Sequence, residues 1–145
     1  MRIFRKAEAF SQHKPTGEYL NAYLFDDYKI NFNTDPAGCK QGWHKHAKIS
    51  ETLLVIDGEM TFLWRDDDGK ICEEILRSGD TACTDGVWHT FENRTAQSVR
   101  YVVLKTIPHH KNFEDLLLND KILPPDDFFN SDNISRKSGR RKNER

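Results

Sequence analysis

The chain has 145 residues, 37% hydrophobic and 31% charged, with a formal net charge of −1, which admits one compact domain with one core and excludes a second. So small a charge excludes the overall positive field that draws proteins to nucleic acid or acidic membranes, and no stretch approaches the ~20 consecutive apolar residues that span a bilayer. The opening MRIFRKAEAF lacks the apolar run of a signal peptide, and Cys39, Cys72 and Cys83 form no CxxC pair, so a cytoplasmic protein with reduced cysteines is expected.

From about Tyr19 to Thr106, short runs of apolar, aromatic and β-branched residues are separated by turn residues, an all-β rhythm. The pattern predicts strands near 20–25, 28–34, 42–46, 51–57, 59–65, 70–76, 80–84, 89–93 and 98–106. Between them, Asp35-Pro36-Ala37-Gly38, Asp57-Gly58, Asp66-Asp67-Asp68-Gly69, Ser78-Gly79 and Asp85-Gly86 supply residues that tolerate the positive φ of tight turns. So many short strands curl into a barrel or a two-sheet sandwich, and a jelly roll is one such solution.

After Thr106 the character changes. Pro108 is followed by NFEDLLLNDKIL, in which Phe113, Leu116, Leu117 and Ile122 predict one apolar face of a short helix packed on the barrel. Pro124 and Pro125 end it. From Asn130 onward there is little apolar material beside Arg136, Lys137, Arg140, Arg141, Lys142 and Arg145, and such a segment is expected to be a disordered, solvated basic tail. The expected organisation is a barrel with its helix over 1–128, its chemical motifs over 38–93, and a flexible tail over 129–145.

The strongest chemical signal lies in GCKQGWHKHAKISETLLVIDG, residues 38–58. His44 and His46 are two apart, so on a strand their imidazoles share a face. Glu51 follows at a distance that lets the chain return a carboxylate to the same point. Two imidazoles and a carboxylate suit Fe(II), Mn(II), Ni(II), Co(II) or Zn(II). An isolated HxH is often just two solvated histidines, but here Glu51 and the glycines Gly38 and Gly58 accompany it. A fourth candidate, His89, lies in GDTACTDGVWHTFEN; alone it would read as a satisfied core histidine.

These residues resemble the cupin superfamily. Its first motif runs glycine, five residues, His-x-His, three or four residues, glutamate, six residues, glycine, and Gly38, His44, His46, Glu51 and Gly58 match each spacing. Its second motif runs glycine, five residues, Pro-x-Gly, two residues, histidine, three residues, asparagine; Gly79, Gly86, His89 and Asn93 stand for it. Thr84 takes the proline position, and the interval after Gly79 is one residue short. The resemblance covers residues from about 30 to 106. It implies an all-β, single-domain double-stranded β-helix, or jelly-roll barrel, with one divalent transition metal ion held on His44, His46, Glu51 and His89.

Cupins include dioxygenases, isomerases, epimerases, decarboxylases, lyases and plain binding proteins, so the fold does not name a reaction. The leading expectation is an enzyme acting on a small organic molecule, either as a dioxygenase or as a sugar or small-acid isomerase or lyase. The alternative is a non-catalytic ligand-binding or regulatory module. Tyr101, Val103 and Lys105 share one face of the last strand; if that face points inward, Tyr101 and Lys105 stand near the metal as acid/base candidates. The simpler alternative is an exposed Lys105 beside a core Tyr101. Tyr23, Tyr28, Phe32, Phe62 and Trp64 would line a cavity or simply fill the core, and His109 and His110 read as exposed linker residues. Edge strands and an outer apolar face lead us to expect a homodimer, with no membrane or nucleic-acid partner.

Overall fold

The computed structural model describes residues 1–107 and 120–129. After one turn of 3₁₀ helix (Lys6–Glu8) the strands are β1 (Phe10–His13), β2 (Tyr19–Leu24), β3 (Tyr28–Asp35), β4 (Lys45–His46), β5 (Ser50–Asp57), β6 (Glu59–Arg65), β7 (Ile71–Arg77), β8 (Thr81–Cys83), β9 (His89–Glu92), β10 (Val99–Thr106) and β11 (Lys121–Ile122). They form a six-stranded sheet in the order β1-β2-β3-β10-β5-β8, a three-stranded sheet β7-β6-β9 and a pair β11-β4. All pairings are antiparallel. The backbone of His44 exchanges hydrogen bonds with that of His89 (3.0 and 2.9 Å), and the Gln41 N–H donates to the Phe91 carbonyl at 3.0 Å. The segment leading into β4 thus extends the smaller sheet. The result is the expected jelly roll, nearly all β.

The core fills the space between the two sheets. Leu53 and Val55 of β5 and Val99, Tyr101 and Val103 of β10 meet Met60 and Phe62 of β6, Leu76 of β7 and Phe91 of β9. The period-two pattern explains β5: Glu51, Leu53 and Val55 are buried while Leu54 and Ile56 face outward. Strand β3 inverts that pattern. Its buried residues are Asn31, Asn33 and Asp35, and Phe32 between them is exposed. The interior at this end is therefore polar.

Several expected elements differ in the structure. The strand expected at 42–46 is regular only over Lys45–His46. Strand β1 has no exposure contrast that a sequence pattern could show, since all four residues are exposed at the sheet edge. Ile122, expected on a helix, belongs to β11 and pairs with Lys45; its backbone is recruited as a partner for β4. Phe113, Leu116 and Leu117 of the expected helix, His109, His110 and the basic tail lie outside the described residues. Phe128 is buried beside Trp43 and Trp88, at ring-centroid distances of 5.5 and 5.1 Å, and the Arg65 guanidinium lies 3.8 Å from its ring centre. The segment after β11 thus folds back onto the barrel.

Gly58 carries the chain from one sheet to the other at φ +90, and a Cβ there would lie 3.1 Å from both the Ser98 carbonyl oxygen and Val99 Cα. Backbone on the facing strand cannot yield. Gly69 has a similar φ of +78 but faces open space. Gly69→Ala should therefore cost about 1 kcal/mol of conformational strain, and Gly58→Ala about 2 kcal/mol more from the clash. Urea unfolding midpoints check this; equal losses at the two positions would contradict the corner packing.

Candidate metal centre

Glu51 sits at the start of β5 and shares the inward parity of Leu53 and Val55, which places its carboxylate between the sheets. Facing it, from the other side of the barrel, are the buried imidazoles of His44, His46 and His89. The backbone bridge between His44 and His89 brings their ring centroids to 4.4 Å. Ligand atoms of His44, Glu51 and His89 all lie within 4.8 Å of one another. His46 Nε2 stands 3.2 Å from Glu51 Oε2, and His89 Nε2 3.3 Å from Glu51 Oε1. Neighbouring ligands ~2.1 Å from a shared ion are ~3 Å apart, so the separations from Glu51 match the edges of a coordination shell; His46 approaches Glu51 but stands outside the mutually close group of His44, Glu51 and His89.

The tautomers favour a metal as well. His44 Nδ1 lies 2.9 Å from the Gly42 carbonyl oxygen, and His89 Nδ1 lies 2.9 Å from that of Val87. A carbonyl only accepts, so each Nδ1 carries the proton and each Nε2 offers a lone pair. His89 Nε2 is buried without a hydrogen-bond partner while facing a carboxylate oxygen. Two lone pairs so placed repel unless a cation stands between them. These residues therefore fit a divalent transition metal ion, whose identity the donor set leaves open among iron, manganese, nickel, cobalt and zinc.

Charges around the centre point the same way. Burial alone would raise the Glu51 carboxyl, but the Lys105 ammonium, with His46 and His89, outweighs it and holds the group well below its ordinary range. Burial, then repulsion from His89 and Lys121, pushes His44 down to about 2, leaving it the neutral imidazole that a metal needs. Lys105 Nζ lies 2.8 Å from Glu51 Oε2 and 3.2 Å from His46 Nε2.

The two acid/base candidates thus occupy different surroundings. Lys105 turns inward and touches two of the proposed ligands. Tyr101 is a core residue whose hydroxyl donates to Asp35 Oδ1 at 3.1 Å and accepts from Gln41 Nε2. Burial, then the charge of Asp35, raises its phenol well above the usual range. It stays protonated and braces the cavity wall.

Sequence reasoning overlooked several residues here. Asp120 Oδ2 accepts the backbone N–H groups of Lys48 (2.9 Å) and Ile49 (3.0 Å) and lies 3.8 Å from His46 Nδ1, too far for a hydrogen bond, and that buried nitrogen has no hydrogen-bond partner among the described residues. No local signal marks Asp120, because its partners lie some seventy positions away. Lys14, Lys29, Lys121 and Gln41 line the cavity of about 300 Å³ that opens on the histidines. Alternation groups Lys29, Asn31 and Asn33 on one face of β3, but nothing in the sequence marks that polar face as the inward one. Thr84, at the motif's proline position, donates its N–H to the Glu51 carbonyl at 3.0 Å, a bond that proline cannot make. Asn93 Nδ2 lies 2.7–3.0 Å from the carbonyls of Asp35, Pro36 and Gln97, tying the second motif to the loop that opens the first.

A family model of the cupin domain matches residues 32–105, just over half the chain. The chain belongs to the cupin family. No curated protein sequence matches this cupin. Among solved structures it resembles an oxalate decarboxylase from Lactobacillus farciminis, TM-score 0.66 at 16% identity over 83% of this chain and 35% of that one. A Bacillus subtilis oxalate decarboxylase gives 0.67 at 13% over 83% and 32%. A cupin-superfamily sugar phosphate isomerase from Silicibacter pomeroyi gives 0.55 at 22% over 69% and 70%. This cupin thus spans about a third of the length of the decarboxylases. Identities this low establish a shared fold. No helix among the described residues is long and apolar enough to cross a membrane.

One titration tests the cavity wall. Burial pushes the Asp35 carboxyl from 3.8 up to about 6, against the hydrogen bond from Gln41. The folded state thus prefers the protonated acid: the resulting stability is fully present below the unfolded value and is lost as pH rises through about 6. Two pH units correspond to about 3 kcal/mol. Measured against Asp35→Asn, which has no such titration, the wild type should lose up to about that much between pH 4 and 7.5. A stability difference that does not change with pH would contradict the assignment.

Proposed function

We propose that this cupin holds one divalent transition metal ion on His44, His46, Glu51 and His89 and acts enzymatically on a small organic molecule entering the 300 Å³ cavity. One observation carries the reading: a buried carboxylate faced by imidazole nitrogens whose protons are already committed elsewhere to backbone carbonyls. When bound, the ion supplies Lewis acidity, or electrons for dioxygen chemistry if it is iron.

The surrounding residues take the other roles. Gly42 and Val87 fix the tautomers of His44 and His89, and Asp120 fixes the backbone just after His46 through the Lys48 and Ile49 amides. Lys105 stands at the edge of the ligand set with a donor that reaches Glu51, placed to hold or move a proton on a substrate oxygen. Tyr101 and Gln41 keep the far wall fixed. Lys105 favours an isomerase or lyase that shifts a proton over a dioxygenase. We place the protein in the cytoplasm, on its charge and cysteine pattern.

The same reading includes a homodimer. Phe32, Leu54, Ile56 and Leu104 are exposed on the outer face of the six-stranded sheet, where adjacent strands β3, β10 and β5 bring them together. A second copy presenting the same patch would cover it.

Metal analysis of tag-free protein should find about one ion per chain. Glu51→Gln and His89→Ala should each weaken metal affinity by about 100-fold, and His13→Ala, on exposed β1, should leave it unchanged. Full occupancy in both ligand variants would reduce the protein to a binding module with an unused motif. Turnover of a substrate under nitrogen as well as air would separate proton transfer from oxygenation. Sedimentation at micromolar concentration should give the mass of two chains, and a single-chain mass would refute the dimer.

A further inference from the structure

The inward face of β3 carries Lys29, Asn31 and Asn33 into the metal-centre cavity. Lys29 is the cross-strand partner of Lys105, which in turn pairs in register with Glu51. A cross-strand pair of opposite charge supports a sheet, and a like-charged pair directly opposite weakens it. Lys105 therefore has a reason to be there in Glu51, and Lys29 does not. Two more ammonium groups, Lys14 and Lys121, line the same cavity.

Four lysines thus meet two carboxylates. Glu18 takes Lys14 at 2.7 Å and Glu51 takes Lys105 at 2.8 Å, so among the described residues Lys29 and Lys121 have no ion-pair partner. Burial, then repulsion from Lys105 and Lys14, lowers the Lys29 ammonium from its ordinary range, with Glu51 pulling the other way. A divalent ion at the histidines would deepen the imbalance. A second, independent sign lies deeper in the cavity. Asn31 and Asn33 are each 6% exposed, and the Oδ1 of each lacks a hydrogen-bond partner among the described residues. A buried acceptor left unpaired costs about 1–3 kcal/mol, and a turn of either amide toward the cavity that both residues line would let a ligand hydroxyl satisfy it.

We infer that the cavity takes a small hydroxylated anion, its carboxylate or phosphate seated among Lys14, Lys29, Lys105 and Lys121 and its hydroxyls against Asn31 and Asn33. The metal-facing end of this inference rests on the proposed function; the lysine and asparagine end stands on the cavity itself. A neutral sugar or an aromatic hydrocarbon would leave the charge unanswered.

Calorimetric titration of the full-length, metal-loaded protein with glycerol 3-phosphate, L-tartrate and glycerol tests it. At least one of the two anions should bind about tenfold or more tightly than glycerol, and Lys29→Met should weaken that anion by about tenfold while the metal content stays at the wild-type level. Lys121→Met, on the exposed two-residue strand β11, repeats the test without disturbing the main sheet and should also weaken the anion. Preference for the phosphate or for the dicarboxylate identifies the anionic group, and either result supports the inference. Glycerol binding as tightly as both anions, or unchanged anion affinity in both lysine variants, overturns it. Repeating the titration on metal-stripped protein separates the two readings. Lysine-dependent anion binding by a chain that takes up no metal would sink the metal centre alone, and metal uptake without such binding would sink the anion site alone.

Discussion

The buried Glu51 carboxylate is the constraint around which the rest of the structure is arranged. Removing an ionised carboxylate from water costs several kcal/mol unless positive charge and hydrogen-bond donors replace the lost solvent. The six-stranded sheet supplies Lys105 from the adjacent strand, in register with Glu51. The opposite side of the barrel brings His46 and His89 against the same carboxylate, and the lone pair on His89 Nε2 leaves part of that compensation to a cation. Two sheets that otherwise meet through an apolar cluster, with Gln41 bridging to Asp35 and Tyr101, are thereby held in one relative position at this end. A cation at the imidazoles completes the same compensation, so the features that make the site suitable for a metal also align the sheets.

Precision at the centre comes from backbone groups. The Gly42 and Val87 carbonyls each accept a hydrogen bond from the imidazole two residues onward, a local contact that orients Nε2 toward Glu51. Thr84 and Asn93 extend this ordering by bonding the second motif to the Glu51 carbonyl and to the loop before Gly38. Asp120 does so from far along the chain, braced by the Lys48 and Ile49 amides. Strand β11 and the buried Phe128 keep that segment against the barrel. The C-terminal part of the described chain is therefore a support for the site.

Many cupins share this scaffold, and what separates one activity from another is the lining of the cavity beyond the ligands. Here the lining is polar and basic where a barrel interior is ordinarily apolar, and the apolar residues of β3 point outward. On the proposed function both faces of that strand matter: the inner one would select what enters, and the outer one would give a second copy an apolar surface to cover.

By itself the sequence determined the strand rhythm, the single domain, the turn at Gly58 and the histidine and glutamate positions of the centre. Each of these depends on spacing along a few residues: alternation sets the shared face of His44 and His46, and a tight turn must contain a residue that accepts positive φ. Tertiary structure alone decided which face of each strand points inward. Alternation is symmetric, and on β3 the hydrophobic rule selects the wrong side, because Ile30 and Phe32 face outward while Lys29, Asn31 and Asn33 line the cavity. It also decided that Lys105 meets Glu51 while Tyr101, four residues back on the same face, is committed to Asp35 and Gln41. The pairing of β11 with β4 and the approach of Asp120 to His46 likewise depend on where distant segments meet in space. Such contacts are set by the closure of the barrel, and no periodicity within a single strand encodes them.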